Sequence, residues 1–378
     1  MKAVVLAGGK GTRLRPLTCL KPKPLIPIVN KPIIVHIIES LRWAGIDEFI
    51  ITLGYLGDQI INTVGDGERF GVSVRYSIEK EPLGTAGSVK NAENLIDDEP
   101  FCVVSGDLLV EVDLKKILRF HEKNGATVTM ALTEVEDPSQ YGIVETDRFD
   151  RVIRFLEKPS PLDTFSKTIN AGVYILEKDV LDHIPEKTFF DFSNDLFPSL
   201  LDKKNIYGYY FDGYWNDLGR IESYFEATMD ILSGRVMTPS IRDVISERAL
   251  YEGGVIIGEN SIIDENANIE GPVVIGSNTR IEKDVSITSY SVIGDNVHIH
   301  RGVLLDSSIV HSNTRIREES IIKGSIIGEG CNISEKVTMD RGTVIGDNSK
   351  IGRQSKIYAG IKIWSESKLG PKTVISPE

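Results

Sequence analysis

The segment best suited to chemistry is a glycine-rich loop that is followed at once by basic residues. Residues 6–18 read LAGGKGTRLRPLT, with three glycines in four positions, and Lys23 lies a few residues further on. Glycines let backbone N–H groups approach a phosphate closely, and nearby cations compensate its charge. The loop therefore predicts a site for a small phosphorylated ligand, with a plain strand-to-helix turn as the alternative.

Two common phosphate-binding patterns do not fit this loop. A dinucleotide-binding fingerprint needs a third glycine where the sequence has Leu14, and an acidic residue about 20 positions later that is absent. A Walker A loop needs Ser or Thr after Gly9-Lys10, where the sequence has Gly11. The loop is therefore expected to be another kind of phosphate site.

Alternating strands and helices are predicted to position the loop. Short apolar or β-branched runs that read as strands occur at 2–6, 48–53, 101–105 and 126–132. Helical periodicity occurs at 33–43, 113–123 and 221–232. This alternation is typical of an α/β fold in which ligand loops follow the carboxyl ends of strands. We expect a Rossmann-like mixed sheet that is mostly parallel.

The C-terminal third repeats every six residues. An aliphatic residue recurs at this step from Ile257 to Leu305, the phase shifts by one residue at Val310 and at Ile327, and the step of six resumes to Ile357. Six residues fit one short strand and a turn, and three such units close a coil with stacked inward aliphatics. The pattern resembles the hexapeptide-repeat left-handed parallel β-helix over roughly 252–360.

These patterns predict three parts of the chain. An α/β domain is expected over 1–233, a linker containing Pro239 over 234–251, and the all-β helix over 252–378, with a separate tail after about residue 360. That tail, with Trp364 and Ile375, is expected to cap the solenoid or to dock on a neighbour.

Composition excludes several classes of partner. The chain has 43 basic and 55 acidic residues and a formal net charge of −12, so it lacks the basic excess that nucleic-acid binding needs. Neither a signal peptide nor a membrane-spanning stretch is recognisable, and three scattered cysteines do not form a disulfide framework. We therefore expect a cytoplasmic protein with small-molecule substrates and no nucleic-acid or membrane partner.

The loop, together with KPKPLIPIVNKP at residues 21–32, resembles the signature of the sugar-1-phosphate nucleotidyltransferases. The resemblance covers the predicted α/β domain, and an appended β-helix is common in that family. It implies an enzyme that joins a nucleoside triphosphate to a sugar 1-phosphate and releases pyrophosphate. The attacking phosphate is already ionised, so catalysis would depend on positioning and on charge neutralisation.

The resemblance assigns catalytic roles to four residues. Arg13 matches the arginine at the triphosphate, and Lys23 matches the lysine after the loop. Asp107 in VVSGD and Asp217 in GYWNDLG match the two aspartates that hold Mg²⁺, a cation that prefers hard oxygen ligands. A surface role and a functional role remain equally open for the other loop cations, Lys10, Arg15 and Lys21.

The resemblance also implies two sets of binding residues. The nucleotide-binding set lies in the glycine loop and in EKEPLGTAG at 79–87, and comprises Leu6, Ala7, Gly8, Gly9, Gly11, Thr12, Arg13, Lys23, Glu79, Pro82, Gly84 and Thr85. The sugar-phosphate set comprises Gly142, Glu157, Lys158, Asn170 and Gly172. Gly84 is expected to let the backbone approach the base, Lys158 to neutralise the 1-phosphate, and Glu157 and Asn170 to bind sugar hydroxyls.

Glu79 bears on the choice of base. Family members that use uracil or thymine often have glutamine here, whereas an ionised carboxylate only accepts hydrogen bonds and suits the adjacent N1–H and N2–H₂ donors of guanine. With EPLGTAG, this resembles the guanylyl-transferring members, which implies GTP and mannose 1-phosphate. Ser105-Gly106-Asp107, however, resembles thymidylyl and uridylyl relatives, so uridylyl, thymidylyl or adenylyl transfer to glucose 1-phosphate remains open.

Two functions of other classes remain open. Hexapeptide β-helices are often acyltransferases with a histidine base, for which His298, His300 and His311 are candidates. An inactive regulatory subunit is the other alternative, against which the intact Arg13 and Asp107 argue.

Apolar residues next to the inward aliphatics predict a homo-oligomer. They are expected to be exposed on the β-helix and to need cover, and they include Ile262, Val274, Val292, Leu304 and Ile326. The β-helix is thus expected to form the subunit interface. Because all assigned site residues precede position 220, truncation after about residue 235 is expected to leave some nucleotidyl transfer.

Overall fold

The computed structural model describes residues 1–97, 100–201, 205–244 and 254–377. The chain forms two compact units that do not follow the order of the sequence. The first comprises 1–10 and 34–217, and the second comprises 11–33 and 218–378. The second half of the glycine loop, with Arg13 and Arg15, and the following Lys21 and Lys23 therefore belong to the same unit as the C-terminal repeats. Of the predicted linker, residues 245–251 lie outside the described residues, and the preceding part contains the helix Pro239–Val244.

A nine-stranded mixed sheet forms the centre of the first unit. Its strands are Ala3–Ala7, Glu48–Leu53, Ser73–Ile78, Phe101–Ser105, Val128–Glu134, Gly142–Thr146, Val152–Glu157, Thr168–Leu176 and Ile206–Tyr210. Small two-stranded sheets are formed by Leu108–Val110 with Trp215–Asp217 and, in the second unit, by Pro27–Ile28 with Lys31–Pro32.

The first strand lies in the middle of the sheet because it is apolar on both faces. Ala3–Ala7 pairs in parallel with Glu48–Leu53 on one side and with Phe101–Ser105 on the other. Strands buried on both faces read as continuous apolar runs rather than alternating ones, as this one does. The carboxyl ends of the parallel strands meet at one edge, where Gly8 and Asp107 follow.

The α-helices of the first unit are Ile33–Trp43, Gly57–Val64, Gly84–Asn91, Leu114–Asn124 and Phe197–Leu200, and those of the second are Ile221–Leu232 and Pro239–Val244. Asp113 caps Leu114–Asn124 by accepting hydrogen bonds from the backbone N–H groups of Lys115 and Lys116, and Gly125 ends the helix with a positive φ of 55°. No helix within the described ranges is both long and apolar enough to span a bilayer.

The second unit contains three parallel seven-stranded sheets that form a β-helix. The first sheet consists of Val255–Ile257, Val273–Ile275, Ser291–Ile293, Ile309–Val310, Ile326–Ile327, Val344–Ile345 and Lys362–Ile363. The second consists of Ile262–Ile263, Arg280–Ile281, His298–Ile299, Arg315–Ile316, Asn332–Ile333, Lys350–Ile351 and Lys368–Leu369. The third consists of Asn268–Ile269, Ser286–Ile287, Leu304–Asp306, Ile321–Lys323, Thr338–Met339, Lys356–Ile357 and Val374–Ile375.

The strand registers account for the phase shifts seen in the sequence. Ile275 pairs with Ile293, which lies three full repeats further on. Ile293 in turn pairs with Val310, and Val310 with Ile327, and each of these steps is one residue short of three repeats. Two coils are thus one residue shorter than the others in this series, and the aliphatic residue of each repeat still lies in the core.

The predicted fold class is confirmed by these sheets and their pairing. The predicted tail is wrong, because the repeat continues past residue 360 and the last strand ends at Ile375. Trp364 follows a strand of the first sheet, so it belongs to the solenoid itself.

The expectation of exposed apolar residues on the β-helix is largely wrong. Val274, Val292 and Ile326 are at most 4% exposed, whereas Ile262 is 65% exposed. The three buried residues lie in the first sheet, and other parts of the same unit contact this sheet. The side-chain amide of Asn30 donates to the carbonyl oxygen of Ile293 at 2.7 Å. The homo-oligomer remains a prediction, but most of the apolar residues on which it was based are buried within the chain.

His311, which follows a strand of the covered sheet, is buried beside helix Ile221–Leu232. Its Nε2 is 3.0 Å from the hydroxyl of Tyr224, and that hydroxyl donates to the carbonyl oxygen of Pro27 at 2.6 Å. Burial, and to a lesser extent the charge of Lys21, lowers the pKa of His311 from 6.5 to about 3. Neutral His311 is thus part of the packing between the β-helix and the N-terminal segment.

The lowered pKa of His311 predicts a loss of stability in acid. Between about pH 6.5 and pH 3 the unfolded chain binds more protons than the folded one, so the free energy of unfolding falls as the pH drops through this range. We expect His311→Gln to flatten that part of the profile, measured by denaturant unfolding at several pH values. His183→Gln, which changes an exposed histidine, serves as the control. Equal acid sensitivity of both variants and the parent would contradict the prediction.

Candidate functional site

A small sheet brings the two predicted metal ligands to neighbouring strands of the first unit. Asp107 immediately precedes the strand Leu108–Val110, which pairs antiparallel with Trp215–Asp217. The register sets Asp217 opposite Leu108, the residue that follows Asp107, so the backbone positions of the two aspartates are close to each other. Carboxylate oxygens are the ligands that hard divalent cations prefer, and this donor set fits such an ion.

Gly106 sets the position of Asp107 relative to the glycine loop. The Gly106 N–H donates to the carbonyl oxygen of Leu6 at 2.9 Å, and a Cβ at Gly106 would lie 2.5 Å from that oxygen. A larger residue would push the chain away from Leu6, the first residue of the loop. Glycine is therefore required here so that the segment containing Asp107 and the start of the glycine loop lie side by side.

Glu79 lies against the first half of the glycine loop. A Cβ at Gly8 would be 3.5 Å from Oε1 of Glu79. Oε2 accepts a hydrogen bond from the Leu83 N–H at 3.2 Å, whereas Oε1 is buried and has no hydrogen-bond partner among the described residues. Leaving a buried carboxylate oxygen unsatisfied is costly, so a ligand that donates to Oε1 would be favoured.

Gly84 and Thr85 have structural roles that the sequence did not reveal. Gly84 has a positive φ of 73°, and a Cβ there would lie 2.6 Å from the carbonyl oxygen of Phe190. The hydroxyl of Thr85 donates to Oδ2 of Asp191 at 2.8 Å. Both residues therefore hold their segment against residues 190–191. These contacts explain why glycine and threonine are required here, and no contact with a nucleobase is needed to explain it.

The segments predicted to bind the sugar phosphate meet through antiparallel strands. Gly142 pairs with Glu157, and a Cβ at Gly142 would lie 2.8 Å from Oε2 of that glutamate. The Lys158 N–H donates to the carbonyl oxygen of Tyr141 at 3.0 Å, and its Nζ is 3.5 Å from Oε1 of Glu157. Burial raises the pKa of Glu157, while the charge of Lys158 opposes the shift. The side chain of Lys158 is 60% exposed, so the cation is accessible to an anion.

Asn170 is less available than the sequence suggested. Its Oδ1 accepts from the Gly172 N–H at 3.0 Å, and its Nδ2 donates to the hydroxyl of Tyr174 at 2.8 Å. Gly172 has a positive φ of 74°, and a Cβ there would be 3.1 Å from Oγ of Ser105. Asn170 thus shapes the turn that lies against the end of the strand leading to Asp107.

Trp215 and Tyr141 contact the segments that contain predicted site residues, and the sequence did not indicate this role. The Trp215 indole N–H donates to the carbonyl oxygen of Ala171 at 2.9 Å, and its ring meets that of Tyr141 edge-on at 5.1 Å. Trp215 therefore links the Asp217 strand to two sugar-phosphate segments. A large aromatic residue two positions before Asp217 is the signal that could have indicated it.

The second unit holds the other predicted catalytic residues on one compact segment. Gly11 has a positive φ of 59°, its carbonyl oxygen accepts from the Thr18 hydroxyl at 2.7 Å, and a Cβ there would lie 3.0 Å from Cβ of Lys23. Arg13 lies on the short 3₁₀ turn Thr12–Leu14 and is exposed, whereas Lys23 is mostly buried. Close packing at Gly11 thus connects the turn of Arg13 to Lys23.

The β-helix holds this segment by an ion-pair network. Nζ of Lys21 is 2.6 Å from Oε2 of Glu329 and 3.7 Å from Oδ2 of Asp347. Burial raises the pKa of Asp347, and the charge of Lys21 acts against that shift. The hydroxyl of Ser365 also donates to the carbonyl oxygen of Pro16, at 3.2 Å. Lys21 is therefore a structural anchor of the loop.

The β-helix histidines offer little support for acyl transfer. His311 is 4% exposed and bonded to Tyr224, so it cannot serve an external substrate. From Ile275 to Ile327 each coil comprises three repeats or one residue less, which leaves no room for an inserted substrate loop there. His298 and His300 are half-buried on the outer face beside Glu282.

Comparison with known proteins agrees with this arrangement. Residues 2–234 match the family described as Nucleotidyl transferase, and residues 252–357 match the EIF2B subunit epsilon LbH domain. In open α/β sheets ligands bind beyond the carboxyl ends of the strands, which is where the glycine loop and Asp107 lie. The chain belongs to the nucleotidyl transferase family and is a nucleotidyltransferase with a C-terminal left-handed β-helix.

Its relatives include several named enzymes. The chain is 38% identical over 256 residues to "Mannose-1-phosphate guanylyltransferase" of Mycobacterium tuberculosis, covering 67% of this chain and 71% of that protein. It is 37% identical over 262 residues to "Mannose-1-phosphate guanyltransferase" of Candida albicans, covering 68% and 71%. It is 36% identical over 267 residues to "UTP--glucose-1-phosphate uridylyltransferase" of Synechocystis, covering 67% and 69%.

Solved structures resemble the first part of the chain. HddC from Yersinia pseudotuberculosis complexed with GMP-PN matches with a TM-score of 0.54 and 32% identity, over 61% of this chain and 98% of that one. A putative glucose-1-phosphate thymidylyltransferase from Bacillus anthracis in complex with a sucrose matches with a TM-score of 0.56 and 25% identity, over 61% and 94%.

Proposed function

We propose that this nucleotidyltransferase joins GTP and mannose 1-phosphate in the presence of Mg²⁺ and forms GDP-mannose and pyrophosphate. The observation that carries the choice of base is the buried, unsatisfied Oε1 of Glu79 beside Gly8. A carboxylate oxygen in this position accepts hydrogen bonds only, and guanine offers two adjacent donors. Two of the relatives named above are mannose-1-phosphate enzymes, and a similar structure contains GMP-PN, which supports the proposal.

The proposed reaction is an in-line transfer at the α-phosphate. An oxygen of the sugar 1-phosphate forms a bond to the α-phosphorus, the bond from that phosphorus to the bridging oxygen of the β-phosphate breaks, and pyrophosphate leaves with the electron pair. The attacking oxygen is ionised near neutral pH, so no side chain needs to remove a proton. The residues of the site then act by orientation and charge compensation.

Each proposed residue has a task that suits its environment. The exposed ammonium group of Lys158 neutralises the 1-phosphate, with Glu157 at 3.5 Å limiting its orientations. Arg13 and Lys23 compensate charge on the triphosphate and on the departing pyrophosphate. Asp107 and Asp217 would hold Mg²⁺, which when bound supplies charge stabilisation at the phosphates.

The proposal predicts a change of base preference at Glu79. In Glu79→Gln the side-chain NH₂ can lie opposite the guanine donors, and two donors cannot form a hydrogen bond with each other. The value of kcat/KM for GTP is therefore expected to fall by about 5- to 150-fold, the equivalent of ~1–3 kcal/mol. UTP and dTTP present an acceptor beside a donor, and their kcat/KM should fall much less or rise. Glu81→Gln, at an exposed position of the same segment, is the matched control.

Steady-state kinetics with the purified chain test both the base and the sugar. Each of ATP, CTP, GTP, UTP and dTTP is combined with mannose 1-phosphate or glucose 1-phosphate, and pyrophosphate release is followed with and without Mg²⁺. The proposal requires GTP with mannose 1-phosphate to give the highest kcat/KM. A higher value for UTP or dTTP with glucose 1-phosphate would assign the chain to the alternative that Ser105-Gly106-Asp107 suggested.

The cellular setting is also part of the proposal. No disulfide joins Cys19, Cys102 or Cys331 within the described part of the chain. Few, scattered cysteines without a disulfide are typical of a reducing compartment, and we propose a cytoplasmic location. We retain a homo-oligomer as a proposal, with exposed Ile262 and the open ends of the solenoid as its remaining support.

A further inference from the structure

Two histidines and a glutamate converge on the outer face of the β-helix. His298 and Ile299 form one strand, and because side chains alternate along a strand, His298 and His300 both point away from the core that Ile299 occupies. Ile281 of the preceding coil pairs with Ile299, which places Glu282 next to His300. The three side chains thus come from two successive coils held in register by the sheet.

Their ligand atoms are already close together. Oε1 of Glu282 is 2.8 Å from Nε2 of His298 and 3.4 Å from Nδ1 of His300, and the three atoms lie within 4.8 Å of one another. The two imidazole rings stack with their centres 3.9 Å apart. Ligand atoms bound at about 2.0–2.2 Å around one tetrahedral ion are about 3.4 Å apart, so small side-chain rotations would complete the geometry.

We propose that Glu282, His298 and His300 form a binding site for a divalent transition-metal ion of the Zn²⁺ type. Two imidazoles and one carboxylate suit Zn²⁺, Co²⁺ or Ni²⁺, whereas Mg²⁺ prefers oxygen ligands alone. This site is therefore chemically different from the one proposed at the paired aspartates of the first unit. The proposed nucleotidyl transfer does not need a metal ion at this β-helix site.

Neighbouring residues affect how tightly this site would bind a metal ion and how the ion would stabilise the β-helix. Oε1 of Glu318, on the following coil, is 3.8 Å from Nδ1 of His300 and offers a fourth ligand, so the ion would tie three coils together. Oε2 of Glu282 accepts from the Arg301 N–H at 3.1 Å, which orients the carboxylate. Arg280 and Arg315 flank His298 in the sheet, and their charges oppose a cation. We therefore expect micromolar affinity and a stabilised β-helix.

Calorimetric titration of the full chain with ZnCl₂, in millimolar Mg²⁺ that occupies oxygen-only sites, tests the proposal. We expect one Zn²⁺ per chain, a rise in Tm, and at least tenfold weaker binding in His298→Gln and in Glu282→Gln. His183→Gln, at an exposed histidine of the first unit, should bind as the parent does. Titration with Co²⁺ provides an independent readout, because visible absorption bands report imidazole and carboxylate coordination.

Two results would overturn the metal site. One is binding of Zn²⁺ only in the millimolar range, and the other is unchanged affinity in both His298→Gln and Glu282→Gln with circular dichroism showing folded proteins. Nucleotidyl transfer by these two variants is expected to equal that of the parent. Failure of the metal proposal is thus distinguishable from failure of the proposed nucleotidyl transfer.

Discussion

Replacing Asp107 or Asp217 by asparagine is expected to reduce nucleotidyl transfer by about 10²- to 10³-fold or more, with little effect on folding. Each substitution removes a negative charge from the adjacent positions that the small sheet creates, and a neutral amide is a weaker ligand for a hard cation. The apparent affinity for Mg²⁺, measured by titrating the rate of pyrophosphate release, should weaken in the same variants.

Asp212→Asn provides the matched control, because it makes the same chemical change at an exposed position shortly before Asp217. It should retain the parental rate and the parental dependence on Mg²⁺. Rates close to those of the parent in both Asp107→Asn and Asp217→Asn, with folded proteins by circular dichroism, would remove the two aspartates from the proposed metal site.

The second large effect is expected from the β-helix carboxylates that hold Lys21. Neutralising both, in the double variant Glu329→Gln and Asp347→Asn, leaves the largely buried ammonium group without these ion pairs. The segment that carries Arg13 and Lys23 should then lose its fixed position, and kcat/KM for the nucleoside triphosphate should fall by about 10- to 100-fold. This prediction depends on the proposed roles of Arg13 and Lys23.

Steady-state kinetics and thermal unfolding separate positioning from a general loss of stability. Asp340→Asn removes one exposed carboxylate from the same solenoid and should leave both the rate and Tm unchanged. If the double variant lost stability but kept its kcat/KM at a temperature where it is folded, the network would have no role in positioning. Truncation after residue 235 removes both carboxylates that hold Lys21, and the expectation that some transfer remains after this truncation stays a prediction.

The ion pairs of Lys21 with the β-helix illustrate what could not be predicted from the sequence. The glycine loop, the strands around it and the six-residue repeat could be predicted because each depends on local composition or on a short period. The attachment of residues 11–33 to the β-helix could not, since Lys21 and Glu329 are far apart in the chain and each resembles an ordinary surface charge in the sequence. The same separation hid the cover over Val274 and Val292.

Several site residues were predicted with an incomplete physical reason. Gly84 and Gly172 were assigned to ligands, yet both are required by close contacts within the chain, at Phe190 and at Ser105 respectively. Asn170 was assigned to sugar hydroxyls, but its amide already bonds to Gly172 and Tyr174. A motif indicates which residues matter, whereas the packing partners that explain their identity lie in distant segments.

A one-pot competition compares all substrate pairs of the proposed reaction in one experiment. The chain is incubated with Mg²⁺, equal concentrations of ATP, CTP, GTP, UTP and dTTP, and equal concentrations of mannose 1-phosphate and glucose 1-phosphate. Nucleotide sugars are then separated by chromatography with standards and quantified, because product ratios at low conversion report ratios of kcat/KM. We expect GDP-mannose to be the dominant product, whereas dominant UDP-glucose or dTDP-glucose, or no nucleotide sugar at all, would contradict the proposed function.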